Sequence, residues 1–87
     1  MPRSLGSARY RQLLAVLREM RAESGMTQGA LAKRLGRPQS YVSKYESGER
    51  RLDLVELEEI ALAVGSTLSA VVNRFELTDG DRPGQRS

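Results

Sequence analysis

Residues 26–51, MTQGALAKRLGRPQSYVSKYESGERR, constrain this chain more than any other stretch. They read as two short helices on either side of a tight turn. Thr27 is placed to cap the first, its hydroxyl accepting a backbone N–H from the opening turn. Met26 and Leu31 flank that cap at the spacing of a hydrophobic staple, which fixes the angle at which the chain comes in. Ala30, Leu31 and Leu35 then form an apolar stripe, and Gly36 ends the helix with a residue that tolerates a left-handed backbone. Pro38 presets φ for a second helix start. That second helix, about residues 39–47, turns Val42 and Tyr45 inward at i and i+3. Gln39, Ser40, Ser43 and Lys44 fall on the opposite face, and Gly48 closes the element. Helices this short do not hold themselves together in water, so a packed scaffold must present that polar face.

The flanking sequence supplies such a scaffold. Over residues 7–24, Tyr10, Leu13, Leu14, Leu17 and Met20 recur at helical spacing, while Arg9, Arg11, Arg18 and Glu19 mostly face water. Ser7 is its cap and Gly25 its stop. Further on, Asp53 and Glu56 make a capping-box-like start for a helix lined by Leu54, Leu57, Ile60, Ala61 and Val64, with Gly65 after it. Thr67 caps a last helix striped by Leu68, Val71, Val72 and Phe75. Val71 and Val72 are adjacent and point in different directions, so one of them is expected outside the core, exposed or in a subunit interface. The expected fold is all-α, a compact five-helix bundle. Residues 7–76 form the domain, with the two-helix motif at 27–47. Residues 1–6 read as a flexible arm. Residues 77–87, rich in Gly, Pro and Asp, read as a disordered tail, either a plain end or a segment that orders on a partner.

Composition excludes more than it assigns. Eighty-seven residues allow one small domain. With no cysteine and no histidine, disulfides, thiolate metal sites and the usual general base are all missing. Neither a carboxylate pair in an evident cleft nor a Gly-rich phosphate loop replaces them, so an enzyme is not expected, and no cofactor is implied. No apolar run approaches the ~20 residues of a membrane span, and MPRSLGSARY lacks the apolar core of a secretory signal, so a soluble cytoplasmic protein is expected. The net charge of +3 is unevenly placed: residues 1–51 carry 11 Lys and Arg against 4 Glu, residues 52–87 carry 3 Arg against 7 Asp and Glu. A polyanion on one side and a different partner on the other would suit that division; ordinary charge scatter is the plain alternative.

The motif resembles the helix-turn-helix of the phage-repressor and Cro type, also called XRE-type. The matching positions are Thr27-Gln28, Ala32 where the helices touch, Gly36 in the turn, Val42, and the closing Tyr45-Glu46 with Gly48; the resemblance spans roughly residues 13–72. Pro38 departs from it, standing where the family usually has Ser or Thr, so a side-chain contact often made from there is lost. The resemblance implies double-stranded DNA as the partner, read in the major groove. It assigns base reading to Gln39, Ser40, Ser43 and Lys44, and has Gln28 bond a phosphate while steadying Gln39. It also pairs Arg21 with Glu46, a structural brace rather than a DNA contact, and sets the loop with Arg50 and Arg51 against phosphates.

The residue chemistry suits these roles. Gln can bond an adenine edge with donor and acceptor, Lys can reach guanine O6 or N7, and serines allow close approach. Thr27, Gln28, Arg37, Tyr41, Arg50 and Arg51 are the candidate backbone donors; such contacts position without reading sequence. In the arm, Arg3 either follows the DNA backbone or belongs to a disordered end. One helix reads too few base pairs for a genome, so a homodimer on a palindromic operator is expected, its reading helices ~34 Å apart and its interface at Val71, Val72 and Phe75. A repressor is the leading expectation. The alternatives are an antitoxin or restriction–modification controller acting with a protein partner such as a toxin, and a protein-binding adaptor whose DNA face is idle.

Overall fold

A computed structural model describes residues 7–78, and within them five helices and no strand. In order they are α1 (Ala8–Glu23), α2 (Gln28–Leu35), α3 (Gln39–Ser47), α4 (Leu54–Ala63) and α5 (Leu68–Thr78). The expected arm at 1–6 lies outside the described residues, as does the tail beyond 78. The last helix runs through Thr78, two residues past the expected domain edge, with Thr78 donating its hydroxyl to the Arg74 carbonyl.

Local chemistry sets the helix starts. Ser7 Oγ accepts the Tyr10 N–H at 3.0 Å, Thr27 Oγ1 the Ala30 N–H at 3.0 Å, and Thr67 Oγ1 the Ala70 N–H at 3.0 Å. At α4 the capping box is complete: Asp53 Oδ1 accepts the Glu56 N–H at 2.8 Å and Glu56 Oε1 accepts the Asp53 N–H at 2.9 Å. Pro38 opens α3 with no side-chain cap. The turn between α2 and α3 does need its glycine. Gly36 has φ +71°, and past it Arg37 N–H donates back to the Ala32 carbonyl at 2.9 Å.

The helices pack around α1, which meets α3 on one side and α5 on another; α2 packs on α3 and α4, and α4 on α5. Tyr45, Leu17, Leu31, Ile60, Val16, Val42 and Val71 are the large side chains wholly inside. Each contributes about 1.5–3 kcal/mol through burial, enough in sum to hold helices too short to stand alone. Tyr41 and Tyr45 meet edge to face with ring centroids 5.7 Å apart. Among the described residues the Tyr45 hydroxyl has no hydrogen-bond partner, and burial pushes its pKa far above the ordinary tyrosine value.

Several expected core positions are elsewhere. Ala30 is exposed and Ala32 takes the inward place, because α2 faces α3 and α4 through Leu31 and Ala32. Leu54 is 62 % exposed, since it sits in the first turn of α4 before that helix reaches the core. Of the two valines on α5, Val71 is 1 % exposed and Val72 42 %. Val71 is therefore a core residue and is withdrawn from the expected interface. Phe75 is half-buried, with the Arg9 guanidinium 3.7 Å from its ring centroid.

Candidate nucleic-acid interface

The outward face of α3 presents Gln39, Ser40 and Lys44 exposed and Ser43 half-exposed. Val42, Tyr45 and Glu46 pin the other face to the core, which leaves the helix little freedom to rotate. The serine hydroxyls are turned onto their own helix, Ser43 donating to the Ser40 carbonyl at 3.3 Å and Ser47 to that of Lys44 at 3.1 Å. Gln39 lies close to the start of α2: its Oε1 is 3.5 Å from where a Cβ on Gly29 would stand. Among the described residues the side chains of Gln39 and Lys44 hold no hydrogen bond or ion pair.

A brace behind this face ties α1, α2 and α3 together. Arg21 Nε donates to Glu46 Oε2 at 2.7 Å and Arg21 Nη2 to Glu46 Oε1 at 3.1 Å, a bidentate fork. Arg21 Nη1 donates to the Met26 carbonyl at 2.9 Å, and the bond to Glu46 raises the guanidinium's already high pKa. Gln28 Nε2 donates to the same Glu46 Oε1 at 2.9 Å. In the free protein Gln28 thus completes the brace, and it makes no hydrogen bond to Gln39.

The candidate backbone donors divide by location. Thr27 is exposed at the start of α2, its Oγ1 accepting in the cap. Arg37 precedes α3 and Arg50 follows it, and both guanidiniums stack on the Tyr41 ring, at 4.6 and 4.9 Å from its centroid. Tyr41 itself is buried, which raises its pKa, so what this corner turns outward is the two arginines. Arg51 is exposed and stacks on Tyr10 at 4.4 Å, while Tyr10 Oη accepts the Leu52 N–H at 3.3 Å and so fixes the loop after α3.

Sequence reasoning missed the acidic partners of these arginines. Arg50 Nη2 lies 3.0 Å from Glu56 Oε2, and Arg37 Nη2 3.5 Å from Glu59 Oε1. Both carboxylates lie on α4, so the acidic side of that helix reaches the edge of the reading helix. Only the even spacing of Glu56 and Glu59, one helical turn apart, hinted at it.

Two helices about a glycine turn, the second braced from behind and polar in front, define a helix-turn-helix unit. The helix-turn-helix family model matches residues 17–71, and the chain belongs to this family, in its XRE-type branch of DNA-binding proteins of transcription regulation. It is similar to an XRE-family-like protein from Pseudomonas syringae pv. tomato, with 46% identity over 82% of this chain and 87% of that one and a TM-score of 0.76. Two structures of the clp gene regulator ClgR from Corynebacterium glutamicum also resemble it. One is 25% identical over 83% of this chain and 77% of that one, with a TM-score of 0.73. The other is 26% identical over 80% and 90%, with a TM-score of 0.71. No curated protein matches the chain. None of the described helices is long and apolar enough to cross a membrane.

Proposed function

We propose that this chain is a sequence-specific transcriptional regulator that works as a homodimer, reads a palindromic operator through α3 and represses by occupying it. The observation that carries the reading is the exposed, uncommitted pair Gln39 and Lys44 on a helix whose other face is fixed in the core. An α-helix fits the major groove, where a Gln can select adenine and a Lys guanine, with Ser40 and Ser43 allowing close approach. Thr27, Gln28, Arg37, Arg50 and Arg51 surround that helix as backbone donors, with Tyr41 beneath two of them. The homodimer is supported by Val72 and Leu77, the latter 75 % exposed, on α5. Phe75, half-buried on the same helix, and Val72 are the two positions of the expected interface that remain.

Selection of bound sites from random duplex DNA at near-physiological salt tests this reading. An inverted repeat with half-site centres about 10 bp apart, or a multiple, is the expected product. Weak, salt-sensitive binding with no enriched sequence would overturn it. A second reading, a controller or antitoxin that needs a protein partner, draws on Leu54, Val55 and Leu62, which leave α4 with apolar surface of its own. On that reading enrichment would arise only when the partner is present.

A further inference from the structure

The two arginines that bracket the reading helix are occupied in the free protein. Arg50 has three partners: Glu56 Oε2 at 3.0 Å, the Arg51 carbonyl, to which Nη1 donates at 3.2 Å, and the Tyr41 ring. Arg37 stacks on the same ring and donates to Glu59 Oε1 at 3.5 Å. Both carboxylates come from one face of α4, three residues apart. A carboxylate and a phosphate want the same thing from a guanidinium, its planar fork of donors.

We infer that Glu56 and Glu59 are intramolecular stand-ins for DNA phosphates, holding Arg50 and Arg37 until a duplex displaces them and so limiting how tightly the protein grips any DNA. This rests on the DNA-binding reading proposed above. Glu56 is the stronger competitor. Its other oxygen is committed to the Asp53 N–H, so the side chain cannot swing clear without giving up that arm of the capping box. Its negative charge therefore stays beside Arg50 when a phosphate arrives. Glu59 has no such tether, and its side chain is 48 % exposed at a longer distance. Tyr41 keeps both guanidiniums near the edge of α3 once the carboxylates are displaced. The opposite possibility is that the carboxylates merely preset the arginines, in which case neutralising them would weaken binding. The sign of the effect decides.

Gln serves a capping box as well as Glu does, so Glu56→Gln removes the charge and keeps the cap. Binding of labelled duplexes, one random and one carrying the selected operator, would be followed by fluorescence anisotropy, with thermal melts to show that each variant is folded. Glu56→Gln is expected to tighten both duplexes by the same factor, roughly two- to fivefold, the size of an exposed ion pair. Glu59→Gln is expected to do less. In an Arg50→Ala background most of the Glu56→Gln gain should disappear, because the competition runs through Arg50. Unchanged or weaker binding by Glu56→Gln overturns the inference, and so does an equal gain with and without Arg50, which would be a general field effect. A parent protein that binds neither duplex removes the regulator reading and this inference with it; a parent that binds while Glu56→Gln changes nothing removes the inference alone.

Discussion

Arg21 at the end of α1 and Glu46 at the end of α3 are joined by two charge-assisted hydrogen bonds, 2.7 and 3.1 Å long, across 25 residues of sequence. Glu46 is 6 % exposed, the one charged residue among the described ones that is buried. Such a pair adds little net stability, since both ions lose water, yet it makes each partner dependent on the other. Its consequence here is orientation: α3 is fixed relative to α1 about its own long axis, and with it the direction of Gln39 and Lys44.

Removing Arg21, whose side chain is 15 % exposed, should therefore be costly. Arg21→Ala leaves the Glu46 carboxylate buried with only the Gln28 amide, and we expect a loss of about 3 kcal/mol in urea unfolding. The double change Arg21→Met with Glu46→Leu should restore most of that stability. If the single change proved silent, the pair would not be the brace described.

Readers and anchors should separate in binding. Gln39→Ala or Lys44→Ala is expected to cost about 1–3 kcal/mol on the selected site and to relax base preference. Arg51→Ala should weaken all duplexes alike and reduce the slope of log K against log salt by about 0.9, one phosphate's worth. Identical behaviour of Gln39→Ala and Arg51→Ala on selected and random DNA would erase the division.

Glu56 gives the fold a pH dependence with a definite sign. The Arg50 guanidinium, and next the Asp53 N–H, hold its carboxyl below the ordinary value of 4.5. A carboxyl with a lowered folded-state pKa adds stability above its unfolded value, and loses it as pH falls through the folded one. The urea midpoint should accordingly drop as pH is taken below about 4.5. Part of that drop should vanish in Arg50→Ala. Superimposable pH profiles for the two proteins would remove Arg50 as the cause.

What was legible in the sequence was whatever is settled within a few residues. Ser7, Thr27, Asp53 and Thr67 cap helices where their spacing to the following turn said they would, and Gly36 and Gly48 take the left-handed backbone that closing a helix asks of them. Val16 was not legible: it lies off the Tyr10–Leu14–Leu17 stripe, yet is 1 % exposed because α1 is covered by both α3 and α5. A single-stripe reading describes a helix with one neighbour. The Arg50–Glu56 contact was hidden for a related reason. It depends on the loop after α3 bringing Arg50 back over α4, and neither residue's immediate surroundings carry that information.

The adjacent valines of α5 offer the sharpest test of assembly, because substitutions at these two neighbouring positions should fail in different ways. Val71 is enclosed by the bundle, so Val71→Ala should cost on the order of 2 kcal/mol and lower the melting temperature whatever the protein concentration. Val72 is exposed beside Leu68, on a shallow groove that also includes Asn73 and Glu76. If a second copy covers that groove, Val72→Asp should leave a folded monomer, seen by sedimentation at concentrations where the parent is a dimer. Operator affinity should fall steeply, since each half-site would then be bound without the help of the other, while random-duplex binding per protomer should change little. A Val72→Asp protein that still sediments as the parent does would place the two-fold contact elsewhere, with Leu54 and Val55 on α4 as the next exposed apolar pair to vary.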